Sequence, residues 1–548
     1  MSASDDSHAQ VTVFHRAHVH THAGPRPDAD ALAVAAGRLI TIGRSDDLTA
    51  AFPRARKIDL LGLHVFPGLI DAHLHFVSYG LGLLHVELRE TRSIAEAVRL
   101  VARRAQTLPP GEWTFGRGWD KNIWAEDRSP TRHDLDVAVP KHPVALSSKD
   151  GHLLWVNTVA LRLAGVTRQT PDPPGGVIGR DEAGEPDGIL KEDAKALIHR
   201  VIPRPTNEMR EQAARAASAE FHRLGLTGIH AFTGSSDEGP VQFEALQRLR
   251  DRGELAVRVT ATVPDRLLEA AAEAGLRTGV GDAMLRVGAL KIFADGTLGS
   301  QTASMLEPFD GQPGNLGIRV RTPEQIDRLV RHANAAGLWC AVHAIGDRAN
   351  RDALDIFERH LDASRRAGAR HRIEHAQVLH ADDVPRFARL GVVASMQPLH
   401  ATADRDIAER YWGNRARWSY AWQSLTQHGV PLAFGSDAPV ETPDPWRGLY
   451  AAVTRKREGE PDGRSWYPDE CLTLEQAFKA YTVGAAYAAG TEAIQGTLEA
   501  GKVADFIVLD RDPYAGAPDD LLRLNVLATV VDGRVRYAAG PLAGLKGD

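Results

Sequence analysis

Through the middle of the chain, short apolar runs alternate with longer stretches of helical period. The runs are VFPGLIDAHLH, TGIHAF, AVRVTATV, LRVGALKIFADG, LWCAVHAIGD, HRIEHAQ, GVVASMQ and PLAFGSDAP, eight in all. Runs so continuously hydrophobic suit strands buried on both faces of a parallel sheet. Between several of them stand helix-like segments such as PTNEMREQAARAASAEFHRLG, RTPEQIDRLVRHANAAG and DVPRFARLG. Eight such units predict an α/β fold, a (β/α)8 TIM-like barrel rather than an open doubly wound sheet. The first run lacks the Gly-rich fingerprint of a dinucleotide fold, which points the same way.

The two ends of the chain have a different texture. VTVFHRAHVH and ALAVAAGRLITIG near the start, and ADFIVLD and VLATVVDGRVRYA near the end, are short β-like runs separated by turns. Gly496, Gly501 and Gly533 fall where those turns belong. We expect residues 1–66 and 494–548 to share a small β-sandwich domain, with the barrel in 67–493. One stretch, from about 77 to 205, breaks the regular alternation. It carries a strand-like PVALSS, a hairpin pattern in GGVIGRDEAGEPDGI and the aromatic-rich GRGWDKNIW. An insertion there, following a barrel strand, is expected to serve as a lid and substrate wall.

Polar residues are costly inside strands, so strands that spoil their own apolar pattern near the C-terminal end are informative. Five of the eight do so, with His73 and His75 on the first, Lys291 on the fourth, His343 on the fifth, His375 on the sixth and Asp437 on the eighth. In an extended chain His73 and His75 point to one side. Each residue alone reads as ordinary packing, but together at one barrel mouth they would satisfy one another around a metal centre. A protonated lysine would repel a cation, yet burial lowers its pKa, and a neutral amine can add carbon dioxide to become a carbamate. Two alternatives stand beside that reading, an unmodified Lys291 that hydrogen-bonds substrate, or a ligand role for Asp295. HVHTH also sets His18, His20 and His22 on one face of a strand, where a solvated face is the expected reading.

Composition narrows the class. The chain has 548 residues, 43% of them hydrophobic, enough for a large core and more than one domain. A net charge of -6 in a mixed pattern gives no footprint for nucleic acid. No run has membrane-spanning length without charges and the start lacks a secretory pattern, so a cytoplasmic protein with no membrane partner is expected. Cys340 and Cys471 are the only cysteines, which excludes a disulfide framework and a thiolate cage. A metal would therefore be held by His and carboxylate, a set that suits Zn2+, with manganese, iron or cobalt as alternatives.

The ordered set HxH, Lys, His, His, Asp resembles the binuclear amidohydrolase superfamily. The phrases GWD, KIFADGTLGS, HAIGD, RIEHAQ and GSDAP look like its amidohydrolase family 3 branch, which includes N-substituted formamide deformylases, and GTLEAGKVADFIVLDRDP is similar to the terminal β segment of many members. The resemblance implies that His73, His75 and Asp437 hold one metal, His343 and His375 the other, and carbamylated Lys291 bridges them. It also suggests a homodimer. The chemistry expected is hydrolysis of a non-peptide C–N bond in a small molecule, an N-substituted amide or formamide, with Asp437 moving the proton. Rival readings are a carbamate, ester or lactone on the same centre, deamination of a ring amidine, or a binding protein without turnover. Glu374 could shuttle a proton for a deaminase, but strand alternation should turn it away from His375. Substrate-facing candidates are His152, which could reach a carbonyl oxygen, Trp119 and Trp412 as apolar walls, and Asp120 and Asp347.

Overall fold

The computed structural model describes residues 11–24, 28–149, 152–233, 239–460 and 463–545. The eight apolar runs form eight parallel strands, β1 (Leu69–Leu74), β2 (Leu226–Ala231), β3 (Arg258–Pro264), β4 (Leu285–Phe293), β5 (Cys340–Ala344), β6 (Arg372–His375), β7 (Val393–Met396) and β8 (Leu432–Phe434), each beside the next in that order. Every residue of β1, β2 and β5 to β8 is buried, as the continuous hydrophobicity requires. Helices occupy the intervening segments. Pro323–Ala336 shows how sequence sets their limits. Thr322 caps the start by accepting from the Gln325 amide, Pro323 opens the first turn, and Gly337 ends the helix with φ 72°.

The sheet is nearly closed. Beyond the ends of β8 and β1, the Asp437 amide donates to the His73 carbonyl (2.7 Å) and the His75 amide to the Ala438 carbonyl (2.8 Å). Gly435 fits this seam because a side chain there would strike the His73 backbone nitrogen and the Asp71 carboxylate.

Both chain ends enter one seven-stranded mixed sheet. Its order is Arg534–Ala538, Val526–Val531, Phe506–Leu509, Arg56–Pro67, Thr12–Val19, Ala31–Ala35 and Arg38–Gly43. Thr12–Val19 and Arg56–Pro67 run parallel, and the other pairs are antiparallel. One apolar cluster takes side chains from all seven strands, so the sheet wraps around its own core. Asp532 and Gly533, both at positive φ (55° and 71°), make the two-residue turn of its last hairpin.

Residues Gly80–Ala216 form a compact unit of their own. Its sheet runs Gly176–Arg180, Pro186–Glu192, Leu153–Val156, Val144–Ser148, Thr114–Trp119 and Val86–Glu87, and includes the expected strand in PVALSS and the hairpin in GGVIGRDEAGEPDGI. None of the described helices is long and apolar enough to cross a membrane.

Arg258, at the start of β3, ties the barrel to the terminal sheet. Its guanidinium donates to Asp505 through Nε (2.6 Å) and Nη2 (2.9 Å) and to Asp532 Oδ1 (3.1 Å), with the Arg258 and Asp505 side chains only 4% and 5% exposed. Removing one partner strands a buried charge, which typically costs about 3–5 kcal/mol. Asp505→Ala should therefore lower the denaturation midpoint sharply, and an unchanged midpoint would show that the pair does not carry this junction.

Candidate metal centre at the barrel mouth

The strands deliver their polar residues to one cavity of about 340 Å³. It is lined by His73, His75, Lys291, His343, His375 and Asp437, the full set expected from the strand pattern. One ligand atom each of His73, His375 and Asp437 lies within 4.8 Å of the other two. Asp437 Oδ1 stands 3.2 Å from His75 Nε2 and 3.6 Å from His73 Nε2. The His343 ring lies 4.6 Å from that of His375, centroid to centroid.

Hydrogen bonds on the far side of the rings fix which nitrogen faces the cavity. His73 Nδ1 meets Glu374 Oε2 at 2.7 Å and His375 Nδ1 meets Gln397 Oε1 at 2.8 Å. A carboxylate and an amide oxygen accept, so both rings carry their proton on Nδ1 and turn an Nε2 lone pair inward. His343 does the reverse, placing Nε2 against the Gly296 carbonyl (3.1 Å) and leaving Nδ1 as its acceptor. His73 is clamped further by stacking on Phe232 at 3.8 Å.

Burial keeps these imidazoles neutral. It pulls His73 down to about 4 and His343 to about 3, and holds His375 well below its ordinary value. Burial alone would raise the Asp437 carboxyl, but His75 Nε2, 3.2 Å from Oδ1, opposes it, and the group is held well below its ordinary value. Burial also lowers Lys291, to about 8. Its ammonium nitrogen sits over the rings of Phe293 (4.6 Å) and Phe232 (5.0 Å) and makes no ion pair among the described residues. Lowering of that size raises the neutral-amine fraction of Lys291 at neutral pH far above that of an exposed lysine.

Asp295, with Oδ1 3.7 Å from His343 Nε2, is held by main-chain donors. Its oxygens accept from the amides of Ser304 (2.8 Å), Ile345 (3.0 Å) and Gly346 (2.8 Å), tying together loops at the mouth.

Strand alternation misplaces Glu374. His375 adopts φ 72° and Ala376 φ 41°, so the pleat is broken at the end of β6, and Glu374 points inward to His73. Arg372 pairs with its other oxygen at 2.5 Å. Burial would raise Glu374, but the Arg372 charge, helped by His73, holds it far below the usual carboxylate range. His400, Asp404, Gln377 and Glu441 also line the cavity and escape a search confined to strands. His400 stands in the first turn of the helix Pro398–Trp412, immediately after β7.

The softer candidates have varied surroundings. Trp412 is 1% exposed in the protein interior, and Asp347 spends Oδ1 on the amides of Leu306 and Arg348. Neither is among the residues that line the cavity. Within the unit Gly80–Ala216, Trp119 is buried against Trp124 and Trp155 and donates to the Leu146 carbonyl. Asp120 lies 4.0 Å from Lys149, and His152 is exposed and paired with Glu192 at 2.8 Å.

Comparison with known proteins agrees with the geometry. Residues 56–537 match the model of the amidohydrolase family. YtcJ of Bacillus subtilis (strain 168) is 35% identical over 487 residues, 88% of this chain and 91% of that protein. The N-substituted formamide deformylase of Arthrobacter pascens is 29% identical over 539 residues, 93% of this chain and 95% of its own. Among solved structures, an uncharacterized metal-dependent hydrolase from Pyrococcus furiosus superposes with a TM-score of 0.76 at 30% identity, over 92% of this chain and 99% of that one.

The buried imidazoles make acid stability predictable. His73, His222 and His371, lowered to about 4, and His343, lowered to about 3, are neutral in the fold but take a proton near 6.5 when unfolded. Their contribution is complete above pH 6.5 and is lost as pH falls through 4. Asp71 and Asp295, raised by burial to about 7, work the opposite way but are fewer. The melting temperature of chelator-treated protein should fall between pH 6.5 and 4. A melting temperature that rises over that interval would contradict the assignment of neutral rings.

Proposed function

The chain belongs to the amidohydrolase family of metal-dependent hydrolases, and from that premise we propose that it cleaves the C–N bond of a small N-substituted amide or formamide. One observation carries the reading. Two buried rings, each with its tautomer fixed from behind, aim Nε2 lone pairs at a place they share with the buried carboxylate of Asp437. Acceptors facing acceptors repel, and the buried Asp437 Oδ1 has His75 Nε2 beside it at 3.2 Å but no hydrogen bond of good geometry. A cation between them converts that repulsion into ligation, so the donor set fits a divalent ion, Zn2+ by its nitrogen and carboxylate chemistry.

In this proposal His73, His375 and Asp437 would hold an ion with His75 within reach of the same carboxylate, His343 would add a donor for a second ion, and Lys291, as a carbamate, would add an oxygen ligand. The carbamate forms when the neutral amine attacks carbon dioxide, making an N–C bond and releasing a proton to solvent. Such ions, when bound, lower the pKa of water to about 7 and polarise a carbonyl. The protein supplies the rest. Glu374 and Gln397 keep His73 and His375 in the required tautomer and orientation. Asp437, ionised and at the cavity wall, takes the proton of the attacking water and returns it to the leaving nitrogen. The cavity suits a small substrate.

The formamide reading is supported by the similarity to the Arthrobacter pascens enzyme along nearly the whole chain. A carbamate, ester or lactone would use the same groups. Deamination is less well served, because Glu374 is committed to Arg372 and His73 and is not available as a proton shuttle. The test is turnover of zinc-loaded protein on a panel of formamides, amides, carbamates and esters. Release of formate or amine is expected, and inactivity across the panel with full metal loading would overturn the proposal.

Two variants separate the roles. Asp437→Asn should lower kcat by about 10²–10⁴, whereas Glu374→Gln, a step further from the ion, should weaken metal affinity by about 10–100-fold. Activity within twofold of wild type in Asp437→Asn would remove it from the proton path. Intact-mass spectrometry of native protein should show one added carbon dioxide, absent in Lys291→Met. Because the Lys291 amine is lowered to about 8, the modification should retreat as pH falls below that value. An unmodified lysine in fully loaded, active enzyme would refute the carbamate.

A further inference from the structure

A second group of donors lies on the terminal sheet. Thr12–Val19 pairs in parallel with Arg56–Pro67, and the register sets His18 directly opposite His64, with their rings stacked at 4.9 Å. His18 is the exposed member, as expected of a solvated strand face. His20 and His22 depart from that expectation and are half-buried, as is His64 on the neighbouring strand. The His20 amide is anchored to the Val65 carbonyl (2.8 Å), and its ring lies flat on Phe66, at 4.1 Å with 7° between planes. This delivers His20 Nε2 to 3.3 Å from His64 Nδ1. The third member arrives from the other end of the chain. Asp512 stands in the turn after Phe506–Leu509, and one ligand atom from each of His20, His64 and Asp512 lies within 4.8 Å of the others.

The spacing is that of ligands. Two nitrogens each about 2.0–2.1 Å from a tetrahedral zinc ion stand about 3.3 Å apart. A cavity of about 600 Å³ reaches His20 and gives an ion and its water access.

We propose that His20, His64 and Asp512 form a second metal site, distinct from the barrel mouth, that takes a divalent transition-metal ion of the zinc class. Two imidazoles and one carboxylate select against calcium and magnesium, which take oxygen ligands. The ion clips the N-terminal strand to the turn near the C-terminus, joining three segments far apart in sequence. Its role is structural, since no member touches the reacting cavity. The competing account is a plain N–H···N hydrogen bond between the two rings.

Equilibrium dialysis of the full-length protein against zinc chloride, followed by elemental analysis, distinguishes them. His64→Asn and Asp512→Asn should each bind one zinc fewer per chain than wild type, with unchanged hydrolytic activity and unchanged melting in chelator. Zinc should raise the melting temperature of wild type more than that of either variant. Equal zinc content in the three proteins overturns the site. Should a variant melt early in chelator, carbethoxylation of the wild-type protein decides. Zinc must then shield His20 and His64 while His18 stays reactive, and unshielded His20 and His64 overturn the proposal.

Discussion

The barrel mouth depends on the two backbone hydrogen bonds that join the end of β1 to the end of β8, from Asp437 to His73 and from His75 to Ala438. The residues that close the cylinder, His73, His75 and Asp437, also line the cavity. Asp71 reinforces the junction, accepting from the His73 amide on its own strand and from the Ser436 amide across the seam. An open sheet would leave these groups unsatisfied, and a displaced seam would separate His73 from Asp437. Closure and site geometry are therefore one constraint, held by main-chain bonds that cannot lengthen without loss.

Beneath that rim lies a polar layer that would be ruinous if left unpaired. The Arg372 guanidinium is its hub, reaching His230 Nδ1 (2.8 Å), the Ala72 carbonyl (2.7 Å), Ser395 Oγ (2.5 Å) and Glu374. These partners come from β1, β2, β6 and β7, so one side chain links half the barrel. A buried charge survives when its partners satisfy it in this way. The arrangement also sets the electrostatics of the rim. Arg372 keeps Glu374 ionised, Glu374 holds the His73 proton on Nδ1, and His73 in turn offers Nε2 to the cavity.

Most of the fold was legible because parallel strands buried on both faces leave an unmistakable apolar run, and eight runs leave little choice of topology. The six polar residues at the mouth were legible for the complementary reason, that each interrupts such a run. Helix and loop contributors to the cavity carry no comparable mark. His400 lies in a helix whose first turn tolerates many residues, and Asp404 and Glu441 look like ordinary surface acids until the chain is folded. Trp119 shows how an aromatic reads in sequence. An aromatic beside a polar cluster suggests a pocket wall, yet indole is as often wanted for packing, and here it fills the core of its own unit.

Glu374 shows why alternation fails where it matters most. Period-two reasoning assumes an unbroken pleat, but His375 and Asp437 both hold left-handed backbone conformations, φ 72° and 59°, that non-glycine residues avoid. Such conformations persist only when the surroundings impose them. At His375 the distortion lets consecutive residues face the same interior, Glu374 toward the layer below and His375 toward the cavity. At Asp437 it turns the carboxylate back over the seam toward His73 and His75. A regular strand could offer one of each pair or the other. Departure from regular geometry at the rim is thus what brings Glu374 and Asp437 to opposite nitrogens of one imidazole, that of His73.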